Sequence, residues 1–188
     1  MDIDQSIDLK VDNILDAVFL YAATGLFALT VVLTTAQVLV RQVPFLTFIN
    51  INWSVPVARF TLIIMTYIGG AVVTRNQEHI SIDLILDWIG KYYPRFRVVV
   101  ATIAGVIVIG FLSIAVYAAY LSTTNNWTTS VGAVQGITSG HLYLGIGIGL
   151  AGMLVYELQH FIATIRALSE GRAQAELQDE EEVVAEDV

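Results

Sequence analysis

The sequence predicts an all-α membrane protein with four transmembrane helices and a short interfacial helix between spans two and three. Three observations carry this expectation. Only 14% of residues are charged, where a soluble domain carries roughly a quarter, and the mean hydropathy is +0.70. Residues 17–40 run for 24 positions without an Asp, Glu, Lys, Arg or His, which is long enough to cross a hydrocarbon core. The cations gather on alternate sides of the apolar runs, as the positive-inside rule requires of a multi-pass chain.

The elements follow in chain order. Residues 1–16 form an amphipathic acidic juxtamembrane segment, in which Ile3, Ile7, Val11 and Ile14 recur at helical spacing. Asp4, Asp8, Asp12 and Asp16 line a second face, because residues four apart are neighbours on a helix. The four-helix membrane domain spans 17–167, and its first span is 17–40. The second apolar run, 60–74, holds only 15 uncharged residues. It reaches spanning length as 55–74 if Pro56 sits in the first helical turn, where a missing N–H does no harm, and Arg59 lies near the membrane boundary.

After span two, Ile82, Ile85, Leu86 and Ile89 share one helical face while Asp83, Asp87 and Lys91 lie elsewhere. That pattern suits a short helix lying in the interface. The third span is 98–121, closed by the polar cluster TTNNWTTS at 123–130. The fourth is 139–158, followed by His160 and Arg166 as the helix emerges into headgroups and water. Residues 168–188 form an acidic disordered tail with too little apolar surface to fold alone.

Four spans put both termini on one side, together with the connection between spans two and three. Lys10, Arg75, Lys91, Arg95, Arg97, Arg166 and Arg172 would face that compartment, and only Arg41 and Arg59 the other. Seven against two places both termini in the cytoplasm, in a cell-membrane protein. No signal peptide is expected, because the amino terminus lacks a basic n-region and a short apolar h-region. Trp53, Trp88 and Trp127 fall outside the apolar runs, and Tyr21, Tyr120, Tyr143 and Tyr156 lie near span ends, as interfacial rings should.

Composition also excludes functions. Seven of the 17 carboxylates lie between Glu176 and Asp187, so residues 1–175 hold ten acids against nine bases, a net of -1. Nucleic acid is not a partner, because phosphate recognition needs a basic stripe. The acidic tail and the preference for Arg over Lys suit a halophile's cytoplasm or, with equal weight, an ordinary solvated tail. With no cysteine there are no disulfides or thiolate sites. Gly147, Gly149 and Gly152 match a dinucleotide-binding spacing, but they sit inside a membrane run with no preceding strand. Gly145, Gly149 and Gly152 instead share one helix face, where missing side chains let another helix approach.

Neither enzyme nor cofactor is expected. His141 and His160 lie at opposite ends of one predicted helix, so no opposed pair can hold a haem. His79 and Asp83 share a face, which suits a local interfacial pair; a metal would need more ligands. No span carries an acid or base at its centre, and no buried charged site is expected. Asn52 and Asn126 fit the glycosylation pattern and lie in the two loops assigned to the exterior.

Span two and its exit, WSVPVARFTLIIMTYIGGAVVTRNQEHISID, resemble the small membrane subunit of TRAP (tripartite ATP-independent periplasmic) transporters. In that family a Trp precedes an Ala-Arg-aromatic start, a Gly-Ala pair follows in mid-span, and an Arg leads to a His-Ile-x-Val-Asp motif. Those positions are Trp53, Ala58, Arg59, Phe60, Gly70, Ala71, Arg75, His79, Ile80, Ile82 and Asp83 here. Where the family carries acids between the Trp and the Arg, this chain has Val55 and Pro56. The likeness covers about 15–165. It implies a scaffold subunit for sodium-coupled symport of a dicarboxylate or other organic acid. A large membrane subunit would hold the sodium and substrate sites, and an extracytoplasmic solute-binding protein would deliver the substrate. Trp53, Arg59, Gly70, Arg75, His79 and Asp83 become candidates for subunit docking, and Gly145, Gly149 and Gly152 for helix packing. The alternative is a four-span assembly protein unrelated to transport.

Overall fold

The computed structural model of the chain describes residues 13–43, 53–75, 94–131 and 136–169. They form four helices: α1 (Ile14–Gln42), α2 (Ser54–Arg75), α3 (Pro94–Asn125) and α4 (Ser139–Ser169). All four are long and apolar enough to cross a membrane. The interfacial helix expected around 82–89, the juxtamembrane residues up to 12 and the tail from 170 lie outside the described residues.

Each helix begins and ends for a local reason. Asn13 holds an extended backbone ahead of α1, and its carbonyl accepts the Ala17 N–H at 3.2 Å. In α2, Pro56 occupies the first turn, where the amides have no partner one turn back. The bond from Val57 N–H to the Trp53 carbonyl, 3.3 Å, opens the helix immediately after it. Pro94 stands at the first position of α3, where its fixed φ favours helix entry. Its 32 residues amount to about 48 Å, more than the ~30 Å hydrocarbon core requires.

Hydroxyl groups inside the helices are satisfied locally. Thr24, Thr30, Thr61, Thr66 and Thr74 each donate to the carbonyl four residues earlier at 2.8–2.9 Å. In lipid, where no water competes, this removes the cost of a bare hydroxyl.

The helices pack as a row in the order α1, α2, α4, α3. Gly145 approaches Ile64, Gly149 approaches Tyr67 and Gly152 approaches Ala71, so α2 and α4 run parallel along the middle of the row. The outer helices are the less covered ones. Buried residues make up 6% of the apolar window of α1 and 11% of that of α3, against 28% and 22% for α2 and α4. A small apolar core of Leu112, Ala119 and Leu150 joins α3 to α4, with Tyr67, Ile146 and Met153 packed against it.

Candidate functional site

Two constructions stand out, one polar and one made by absence of side chains. The polar one gathers at the end of the row that holds the start of α1 and the ends of α2 and α4. Asp16, in the first turn of α1, is 4% exposed. Its Oδ2 lies 3.0 Å from Nε of Arg75, the last residue of α2. Its Oδ1 accepts a hydrogen bond of 2.7 Å from the Tyr156 hydroxyl on α4. The Tyr156 ring meets Phe19 edge-on, with centroids 6.1 Å apart. One turn further along α4, His160 Nε2 lies 3.1 Å from the Arg75 carbonyl oxygen. A carbonyl only accepts, so Nε2 carries the proton and donates. Arg75 is thus held twice, by its side chain from α1 and by its backbone from α4.

This arrangement corrects two sequence readings. Asp16 is not part of a solvated acidic face: its carboxylate is buried among three helices and paired with a cation. The expectation of no buried charged site therefore fails, although the pair lies at the helix ends and not at mid-span. Tyr156, read as an interfacial ring, is buried. A signal for the cluster was available. Four spans bring the start of α1, the end of α2 and the end of α4 to one side, and Asp16, Arg75, Tyr156 and His160 are polar groups at those ends. Spacing within one helix hides such a set, because Asp16 and Tyr156 are 140 positions apart.

The second construction is the seam between α2 and α4. A Cβ at Gly149 would stand 2.5 Å from the Tyr67 carbonyl carbon and 2.7 Å from its oxygen, both backbone atoms. At Gly145 it would meet the Ile64 side chain at 2.7 Å, and at Gly152 it would run into Phe19 and lie 3.0 Å from the Ala71 Cβ. On the facing helix, Gly70 leaves room for the Met153 methyl group. Close backbone approach of this kind holds helices together in lipid, where no hydrophobic force acts between them.

The remaining candidates are dispersed. Trp53 and Arg59 are exposed near the start of α2, far along the helix from Arg75; His79 and Asp83 lie outside the described residues. At that same end, the Asn126–Trp127 turn folds onto the start of α4. The Gly140 N–H donates to the Asn126 carbonyl at 3.0 Å, and a Cβ at Gly140 would reach 2.7 Å from the Trp127 Cα. Thr138 N–H donates to His141 Nδ1 at 3.2 Å, so His141 serves the role that Glu or Gln has in a capping box. Its ring stacks at 5.0 Å on Trp127. Asn126 Nδ2 donates to the Ser122 carbonyl at 2.9 Å, a bond that a glycan on that nitrogen would disturb. Asn52 lies outside the described residues.

Among the described residues no group of three or more His, Cys, Asp or Glu could hold a metal ion. An open groove of about 660 Å³ between α1 and α2 is lined by Ala23, Phe27, Met65, Gly69, Val73 and Met153, among others. It is a lipid-type surface without a convergent polar group. A search among curated proteins found no match. A family model described as "Tripartite ATP-independent periplasmic transporters, DctQ component" matches residues 30–167, which takes in the later part of α1 from residue 30 on, all of α2 and α3, and α4 almost to its end.

Proposed function

The chain belongs to the DctQ component family of tripartite ATP-independent periplasmic (TRAP) transporters, and from that membership we propose that it braces a larger membrane subunit during sodium-coupled uptake of an organic acid. An extracytoplasmic binding protein supplies the substrate, and the chain performs no catalysis. The observation that carries this reading is the family match across the four-helix row. The construction of that row supports it: glycine-cut packing and a polar tie at the helix ends make a stiff body, against which a transport domain can move by rigid displacement.

The orientation with both termini in the cytoplasm rests on the distribution of cations. It puts the Asp16–Arg75 cluster at the inner face and the Trp127–His141 cap at the outer face. Trp53, Arg59, Gly70, Arg75, His79 and Asp83 remain the docking candidates, with Trp53 and Arg59 serving the outer end.

Reconstitution tests the reading. The large subunit, placed in vesicles with its binding protein and an inward sodium gradient, should take up a labelled carboxylate only when this chain is present. Full uptake and stability without it would remove the bracing role.

A further inference from the structure

α1 presents an anomaly. It is an outer helix on which more than half of the apolar side chains are exposed and the rest only half-buried, and the one residue it buries is charged. In water such a helix would be held by its apolar face, but lipid is as apolar as leucine and supplies no such force. What remains is packing at short range and polar bonds. Half-buried side chains recur along α1 at Phe19, Ala23, Leu26, Leu33 and Val40, and near its start Phe19 also fills the space left by Gly152 and meets the Tyr156 ring. Further along, α1 and α2 leave the groove beside Phe27, Gly69 and Val73 open. The polar bonds lie at the same end as Phe19, on Asp16.

We infer that Asp16 is the positioning residue of α1: through Arg75 and Tyr156 it latches the helix to α2 and α4 at one end, and makes the first span part of the rigid body. The pair has the features of a device for geometry more than for stability. A buried ion pair is costly to desolvate, so its net contribution is small, while removing one partner strands a buried charge. Both carboxylate oxygens are engaged by different helices, so the direction of α1 is fixed relative to two neighbours at once. The consequence for transport rests on the bracing reading; the latch itself does not.

That difference supplies the test. The full chain contains no cysteine, so spin labels can be placed at Val18→Cys on α1 and Ile162→Cys on α4, both exposed, and their separation read in lipid nanodiscs. The parent should give one narrow distance. Asp16→Asn, Arg75→Gln and the double variant should each lose that single peak. The double variant, which leaves no stranded charge, should recover most of the thermal stability that the single variants lose while its distance stays broad. A narrow, parent-like distance in the double variant would overturn the latch. Should the single variants fail to fold, the double variant still decides, and so does Tyr156→Phe, which keeps the ion pair to α2 but cuts the bond to α4 and should broaden the α1–α4 distance, though less than the double variant does; a parent-like peak there would remove Tyr156 from the latch. Uptake by the assembled complex is the second readout. A broad distance with unimpaired uptake would leave the latch standing and count against bracing as the function.

Discussion

The two joints of this molecule solve the same problem by opposite means. Along the seam between α2 and α4, contact is gained by taking side chains away, so that Gly149 meets the backbone of Tyr67. At the Asp16 end, contact is gained by adding charge and hydroxyl groups that satisfy one another across three helices. The inner, parallel pair uses the first device and the outer helix α1 the second. The difference teaches that, without a hydrophobic force between helices, a joint can be made either by room for close approach or by a directional bond; α3, the other outer helix, joins α4 through apolar packing instead.

Substitutions can sharpen or break this contrast, and the largest effect belongs to the polar joint. Arg75→Ala strands the buried Asp16 carboxylate and should lower stability by about 3 kcal/mol, read as an earlier thermal transition in detergent. Little change would mean that Arg75 does not hold the Asp16 carboxylate. Next comes Gly149→Ala, whose methyl group meets backbone that cannot turn aside. It should cost about 1–3 kcal/mol and widen the α2–α4 separation measured between labels on those helices. Gly70→Ala should cost less, under about 1 kcal/mol, because its obstacle is the end of the flexible Met153 side chain. Equal losses at Gly70 and Gly149 would show that the distinction between backbone and side-chain contact is of no importance here. Smallest of all, Gly25→Ala and Gly110→Ala point into open space and should be neutral or stabilising by up to about 1 kcal/mol.

Much of this architecture could be read in advance, for physical reasons that particular residues make plain. The four helices were legible because crossing a bilayer demands length and low charge. Span two was the hard case: Arg59 interrupts its apolar run, yet the side chain is exposed near the helix start and the helix continues through it. The shared face of Gly145, Gly149 and Gly152 was visible as a spacing, but not that α2 is the helix they face. Neighbour order in the row depends on which sides of four helices fit, and no local pattern encodes that. Asp16 was misread because its regular spacing from Asp12 and Asp8 suggested one solvated ladder, whereas its first-turn position placed it under α4. Pairing between distant ends had to be inferred from topology, by asking which polar groups arrive at the same side of the membrane.

The row order has a last consequence. Four helices set side by side, with α1 leaning onto α4 at one end, enclose no lumen among the described residues. A solute moving past them would need walls supplied by a second polypeptide pressed along one flank, and the other flank would stay free to meet the annulus of phospholipid.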